Sequence, residues 1–254
     1  MNTRIRFATL STACALTLAA GLAQAQVTID QNKALAGNIT AGDSAGFPIT
    51  ITQSGSYKLT GNLMVPAGAK GIVVTAPQVT IDMNGFSLIG PSTCTRDIGT
   101  KAVACSYADG TTHGIDASAG SGTAVRNGTV KGFAGHGILA GTMDRYETLR
   151  LTENSFGLAT TSRSQSISSC TVDTNGNSGI VALYALITNC RVVFNGGDGI
   201  AGSSGTVVNA SDVSSNRLIG LSHVVARGTH LESNGTNRVG GFSMGGNLDN
   251  ITAF

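Results

Sequence analysis

The sequence has no tryptophan, only four prolines and few charged residues, and each shortage excludes something. Aromatic residues make up 5% of the chain, so the stacking platforms on which sugar-cleaving clefts rely are scarce. Charged residues make up 12%, and the chain contains 35 glycines. Such a composition disfavours helices and suits tight turns and short strands. Aliphatic residues are plentiful, which excludes a disordered chain.

Net positive charge is also lacking once the N-terminal segment is set aside. The chain holds 16 Lys+Arg and 14 Asp+Glu, and two of the basic residues, Arg4 and Arg6, precede residue 26. The remaining chain is therefore balanced at 14 of each. A balanced chain of low charge density offers no field for nucleic acid or for an anionic membrane. We therefore expect no nucleic-acid partner.

Residues 1-25 have the three parts of a signal peptide. Arg4 and Arg6 form a positive start, 7–22 is apolar and small, and 23–25 is an A-x-A cleavage site. The apolar stretch is too short to favour a membrane anchor, and no later segment is long and apolar enough to span a bilayer. We expect cleavage after Ala25 and a secreted or periplasmic protein of one domain.

What the sequence has in abundance is glycine followed by an aliphatic residue or Phe, about every 21 residues. The pairs are Gly114-Ile115, Gly137-Ile138, Gly157-Leu158, Gly179-Ile180, Gly199-Ile200, Gly220-Leu221 and Gly241-Phe242. A fixed period of this length predicts a solenoid in which each repeat is one turn of the chain. The aliphatic residues should point inward and stack on the same residue of the next turn.

Each turn also carries an asparagine three residues after the aliphatic end of a strand. The column is Asn154, Asn175, Asn195, Asn216 and Asn234. Asparagine tolerates the left-handed backbone conformation that a sharp bend demands, and its side-chain amide can bond the backbone of the next turn. We predict an asparagine ladder with a structural role and no part in catalysis.

Four cysteines remain after the signal peptide, an even number in a protein sent to an oxidising compartment. Cys94 and Cys105 flank a segment that interrupts the repeat, which predicts a disulfide closing a surface loop at about 91-112. Cys170 and Cys190 lie 20 residues apart, one turn of the repeat. Their spacing permits a bridge, and a stack of two buried thiols acting as small apolar residues is the alternative.

Three segments carry a resemblance to a known group. They read GSYKLTGNLMVP at 55–66, VTIDMNGFSL at 79–88 and VRNGTVKGF at 125–133. This pattern resembles exported right-handed parallel β-helix repeat proteins of the pectate-lyase-like superfamily, in a bacterial branch without an assigned activity. That superfamily includes pectate lyases, polygalacturonases, alginate epimerases, phage tailspikes and surface adhesins.

The resemblance implies an all-β fold, a single-stranded right-handed parallel β-helix of about eight to nine turns with ~21-residue repeats. The open ends of such a stack must be capped. We assign 26-70 to an N-terminal cap and first strands, and 71-254 to the β-helix.

The motifs of the catalytic branches are mostly missing. Gly135-His136-Gly137 matches the hydrolase pattern, but the paired aspartates upstream and the Arg-x-Lys downstream are absent, and glycoside hydrolysis needs two carboxyls. The Asp-Pro-His-Asp of the epimerases is absent. The lyase branch binds calcium on a carboxylate cluster, whereas Asp173, Asp198 and Asp212 occupy different positions within their turns. We expect no cofactor, with calcium required only if the protein is a lyase.

Two columns supply candidate site residues. His113 and His136 precede the inward aliphatic residues of adjacent turns, with Asp116 nearby, an arrangement that suits a proton shuttle or a metal. Zinc wants three or four ligands, so we assign no metal site and keep these three as catalytic candidates. A second column points outward by strand alternation. Its charged members form either surface ion pairs or a binding strip, and they are Arg150, Arg191, Asp212 and His230.

The residue after each inward aliphatic should face solvent, and here that face is small and mildly apolar. It reads Asp116, Leu139, Ala159, Val181, Ala201, Ser222 and Ser243. Such a face suits packing against another subunit or a surface partner, so a homo-oligomer is an open alternative.

We therefore expect a non-catalytic surface or periplasmic module for binding or structure, whose partner is a polysaccharide or another cell-surface component. The alternative is a lyase or glycoside hydrolase that acts on uronate-containing glycans.

Overall fold

The structure, a computed structural model, describes residues 26–107, 110, 112–250 and 252–253. The predicted signal peptide lies outside these residues. The described chain winds into a right-handed parallel β-helix of about nine turns, as the repeat predicts. No helix in this part of the chain is long and apolar enough to cross a membrane.

One strand of each turn joins a nine-stranded parallel sheet, the narrow sheet. Its strands are Ile49–Ile51, Ile72–Val74, Ile115–Asp116, His136–Ala140, Phe156–Thr160, Ile180–Val181, Ile200–Ala201, Ile219–Ser222 and Thr236–Val239. The aliphatic residues of the repeat lie directly opposite one another along this sheet, as in the pairs Ile115 with Ile138 and Ile180 with Ile200. All are buried in one continuous core.

Eighteen further strands form the wide sheet, which takes two strands from most turns, and two more form a separate antiparallel hairpin. In chain order these are Val27–Ile29, Gly55–Leu59, Leu63–Met64, Val79–Asp82, Ser87–Ile89, Ala124–Lys131, Arg145–Thr152, Ser166–Ser168, Thr171–Asp173, Leu186–Thr188, Arg191–Val193, Val207–Asn209, Asp212–Ser214, Val225–Arg227, His230–Glu232, Phe242–Ser243, Leu248–Asp249 and Thr252–Ala253. Three short strands a turn therefore enclose the core.

The N-terminal end is closed by a short helix, Gln31–Ala36, which Asp30 caps by accepting a hydrogen bond from the Lys33 backbone N–H at 2.9 Å. Ala34 of this helix is buried. The strand before it, Val27–Ile29, pairs with Gly55–Leu59. Residues 26–70 thus contain the helix and the first complete turn.

The glycine before each inward aliphatic residue is required by close approach of the next turn. A Cβ placed on Gly179 would lie 2.7 Å from both Asn195 Nδ2 and Val192 Cγ1, and 2.9 Å from Gly199 O. Real Cβ atoms rarely approach this closely, because interiors are already packed to crystal density. The glycine of each Gly-aliphatic pair is therefore needed because neighbouring turns pack closely at the corner before each narrow-sheet strand.

The asparagine ladder is confirmed at that corner. Asn195 Oδ1 accepts hydrogen bonds from Asn175 N and Nδ2, and its Nδ2 donates to the Val172 carbonyl of the preceding turn. The pattern repeats from Asn154 to Asn234. The left-handed residue of each bend is not the asparagine but the residue before it, as at Thr174 and Ser215 with φ of 55°. The asparagine turns inward because that preceding residue makes the bend.

Cys170 and Cys190 stack at a second bend, which lies between the two wide-sheet strands of each turn. Both thiols are free and buried. Each donates to a backbone carbonyl, Cys170 to Ser168 O and Cys190 to Thr188 O. Of the two alternatives that the sequence left open, the structure has the stacked thiols.

The last repeat differs from the sequence prediction. Gly241-Phe242 does not begin a narrow-sheet strand, because Phe242 pairs with Val225 in the wide sheet. The last narrow strand is Thr236–Val239, with Arg238 opposite Leu221. The final turn is shortened, so Ser243 also leaves the narrow-sheet face. Phe242 is 70% exposed, because no further turn of the described chain stacks upon it.

Candidate functional site

The two histidines lie on adjacent turns where the narrow sheet begins. His113 Nδ1 is 3.1 Å from the His136 backbone N and 3.3 Å from His136 Nδ1, with ring centroids 4.9 Å apart. Phe156 continues the stack on the next turn, 5.2 Å from the His136 ring. The column of residues two places before the inward aliphatic residue therefore brings its rings together.

Asp116 lies beside this stack but is fully engaged. Its Oδ2 accepts from Lys70 Nζ at 2.7 Å, and its Oδ1 accepts from Ser118 Oγ at 2.6 Å and Ser118 N at 3.1 Å. The residue is only 7% exposed. Lys70 was missed at the sequence level, although it stands two places before Ile72 and so belongs to the same column, one turn earlier.

The environment keeps both imidazoles neutral. Burial lowers the pKa of His113, against an opposing effect of the Asp116 charge. Burial, followed by repulsion from His113, lowers the pKa of His136 to about 4. Burial works to raise the pKa of Asp116, but hydrogen bonds from Lys70 and Ser118 outweigh it and the net pKa is lowered. At neutral pH the cluster therefore holds the Lys70–Asp116 ion pair and two uncharged rings.

The hydrogen bonds limit what these rings can do. Because His113 Nδ1 accepts the His136 backbone N–H, the neutral His113 ring carries its proton on Nε2. His136 then donates from Nδ1 and keeps Nε2 as its acceptor. A general base works best with a pKa near the working pH, and a pKa of about 4 makes His136 a poor one. Within the described residues, no group of three or more His, Cys, Asp or Glu could hold a metal ion.

The outward column has the register that the sequence predicts. Arg150 lies opposite Thr171, Arg191 opposite Asp212, and Asp212 opposite His230. Arg191 Nε is 3.6 Å from Asp212 Oδ2, and His230 Nδ1 is 3.3 Å from Asp212 Oδ1. These side chains lie at the surface, where such pairs contribute little to stability.

Arg150 has a partner that the sequence reading missed. Its Nε and Nη2 bind the two Asp173 oxygens at 3.0 Å each. Asp173 sits diagonally across from it on the next turn, a position within reach of long side chains. The column is thus a row of ion pairs, and its arginines are already occupied.

The predicted disulfide between Cys94 and Cys105 is confirmed. It staples an antiparallel hairpin, Thr93–Arg96 and Val103–Ser106, with the two cysteines directly opposite. This hairpin arm, residues 93–106, leaves the third turn and lies along the asparagine-ladder corner of later turns. The arm fits closely there, because a Cβ on Gly176 would lie 2.1 Å from Tyr107 Oη and 2.8 Å from Cys105 Sγ, and one on Gly196 would lie 3.2 Å from Val103 Cβ.

The far end of the arm encloses a cleft of about 240 Å³ against the solenoid. The guanidinium carbon of Arg96 lies 3.6 Å from the centroid of the Phe194 ring. Lys101 Nζ donates to the Ser233 carbonyl. The lining residues of this hairpin cleft are Arg96, Ile98, Lys101, Phe194, Ser215 and Ser233. The sequence identified the arm as an insertion but contained no local signal for where it docks.

Comparison with known proteins establishes the fold. No protein-family model and no curated protein sequence matches the chain. A mutant of the periplasmic alginate epimerase AlgG superposes with a TM-score of 0.54 and 13% identity, over 80% of this chain and 56% of that chain. The A-module of the Azotobacter vinelandii mannuronan C-5 epimerase AlgE4 gives a TM-score of 0.50 and 13% identity, over 78% of this chain and 70% of that one. The chain spans just over half the length of the first.

Proposed function

We propose that this protein is an exported β-helix module that binds a polysaccharide at the cell surface or in the periplasm and does not cleave it. Support for a glycan partner comes from the fold, because both solved structures named above belong to enzymes that act on alginate-type polymers. The Cys94–Cys105 disulfide supports export, since such bonds persist in oxidising compartments.

The observation that carries the non-catalytic part is the state of Asp116. In the described part of the chain it is the carboxylate that influences the two imidazoles, and it is buried and held by Lys70 and Ser118. Glycoside hydrolysis uses two carboxyls, roughly 5 to 10 Å apart, with one free to give a proton and the other to take part at the sugar. A single occupied carboxylate beside weakly basic rings does not supply that chemistry.

The second candidate function is an enzyme acting on uronate-containing glycans, a lyase or a glycoside hydrolase. One specific observation favours it: a cation, a carboxylate and two neutral imidazoles stand together at Lys70, Asp116, His113 and His136. Perturbed ionisable groups cluster at functional sites more often than elsewhere. A lyase would in addition need calcium.

The two functions are separated by measuring binding and turnover on the same polymers. Protein 26–254 is incubated with pectin, alginate and glycosaminoglycans, with and without calcium, and new reducing or unsaturated ends are counted while binding is followed by titration calorimetry. Binding without product is expected. Product release that His136→Ala abolishes while binding persists would replace the proposal by the enzyme alternative. Absence of binding to every polymer would remove the glycan partner.

A further inference from the structure

Two cations face the cavity of the hairpin cleft. Arg96 and Lys101 come from the arm, and Phe194, Ser215 and Ser233 come from three successive turns beneath it. Each of the three solenoid residues has a left-handed φ, between 54° and 60°. They therefore project outward at the corner while the asparagines after them turn into the core. The ladder corner thus builds the floor of the cleft.

These two cations differ from the arginines of the outward column. Arg150 and Arg191 are each paired with an aspartate, whereas no ion pair within the described residues joins Arg96 or Lys101 to a carboxylate. Arg96 stacks its face on the Phe194 ring, which leaves the N–H donors at the edge of its guanidinium plane available. Lys101 uses one of its three donors on the Ser233 carbonyl.

A cavity with two cations and an aromatic floor fits an anionic group carried on a compact ring. Arginine and lysine bind carboxylate and sulfate oxygens through charge-assisted hydrogen bonds. At about 240 Å³ the space is below the roughly 300 Å³ at which pockets for drug-sized ligands begin. It therefore suits one substituted sugar unit rather than a whole oligosaccharide.

We propose that the hairpin cleft binds the anionic group of an acidic polysaccharide, contacted by Arg96 and Lys101. This assignment rests on the proposed function and deepens it, because it names the class of glycan and the place of contact. The solenoid supports the arm, and the disulfide keeps the arm's two strands in register.

The sharpest test compares two substitutions of similar shape on the cleft floor, one charged and one neutral. Ser215→Asp and Ser215→Asn differ by a single ionised group, and Asp and Asn both tolerate the left-handed backbone of this position. Affinity for polygalacturonate is measured by titration calorimetry at two salt concentrations. We expect Ser215→Asp to raise Kd about tenfold or more relative to Ser215→Asn, with the difference shrinking in high salt.

A second pair tests the cations themselves. Lys101→Gln should weaken binding about tenfold, the effect of losing one charge-assisted contact, and Lys101→Arg should retain affinity. Lys58→Gln is the matched control, since it removes the same charge from a half-buried strand residue near the other end of the solenoid. A purely structural role of Lys101 would instead make the glutamine and arginine variants lose the same affinity and thermal stability.

Four probes decide the ligand class: polygalacturonate, alginate, dextran sulfate and dextran. Preference for the first two identifies a carboxylate and preference for dextran sulfate identifies a sulfate, and either supports the assignment. Equal binding of neutral dextran overturns it while leaving the proposed function intact. If the wild type binds acidic glycans and neither Ser215→Asp nor Lys101→Gln alters that binding, the site lies elsewhere and the assignment is overturned. Failure to bind any of the four counts against the proposed function itself.

Discussion

At the scale of single residues, the buried asparagines stabilise the bend in each turn that contains one. Asn195 is fully buried and bonds both neighbouring turns, through Asn175, Val172 and Asn216. Removing its amide leaves the Asn175 backbone N–H without its partner and removes one hydrogen bond from the Val172 carbonyl. A buried polar group left unsatisfied costs about 1–3 kcal/mol. Each asparagine of the ladder therefore stabilises two turns, its own and a neighbouring one.

We predict that Asn195→Ala lowers the free energy of unfolding by about 3 kcal/mol, from lost hydrogen bonds and a stranded backbone N–H. Urea unfolding followed by circular dichroism measures it. Asn177→Ala is the control, because Asn177 is exposed on the neighbouring turn and its side chain donates to Ser155 Oγ; it should change stability by less than about 0.5 kcal/mol. Equal losses in both variants would contradict a special role of the ladder.

His136 supplies a pH-dependent residue-scale prediction. Its folded-state pKa of about 4 lies below the ordinary 6.5, so the unfolded chain binds the proton first as pH falls. Stability should be fully present above pH 6.5 and should decline between pH 6.5 and 4, by at most about 1.4 kcal/mol per pH unit for one histidine. His136→Phe should reduce this decline, leaving the part that comes from the lowered pKa of His113, measured as Tm from pH 4 to 7.5.

The control for this experiment is His230→Phe, because His230 sits at the surface beside Asp212, away from the His113 ring. Because His136 is unchanged in this variant, the contribution of His136 to the decline should persist. An imidazole signal of His136 that titrates near pH 6.5 in NMR would contradict the prediction directly.

At the scale of elements, the hairpin arm is held by its disulfide and by a few contacts at its far end. Within the described residues its strands pair only with each other, and Ile98 at its tip is 81% exposed. The arm should therefore open separately from the core, since regions with few buried contacts open at low free energy.

We predict that Cys94→Ser/Cys105→Ser makes the arm a target for trypsin at Arg96 and Lys101 while Tm of the solenoid changes little. Limited proteolysis with mass spectrometry measures the cleavage. Cys170→Ala/Cys190→Ala is the matched control and should do the reverse, because those thiols are buried in the core and the arm is untouched. A large fall in Tm in the first variant would show that arm and core unfold together.

At the scale of the whole molecule, the repeat gave the architecture because identical positions recur at a fixed spacing and must pack on one another. The Gly-aliphatic pairs up to Gly220-Leu221, the asparagine column and the outward column fall in the predicted register. The position of the left-handed residue was missed, since Thr174 or Phe194 has no special preference for that conformation and is placed there by its neighbours.

Two further features escaped sequence reasoning for physical reasons. The shortened last turn moved Phe242 into the wide sheet, because a period cannot specify where it stops. The docking of the arm joins Arg96 to Phe194 and Lys101 to Ser233, contacts that no local pattern encodes. Accordingly, the His113–His136 pair was found by its column, whereas the hairpin cleft was not found at all.

The long reach of the arm also has a consequence for the order in which the chain folds. Turns of a solenoid contact their neighbours about 21 residues away, so they can form one after another from a nucleus. The hydrogen bond from Lys101 to Ser233 spans 132 residues and cannot form until the turn containing Ser233 exists. The far end of the arm therefore closes only after that turn has formed, and a chain interrupted before it would wind its earlier turns yet never complete the cleft.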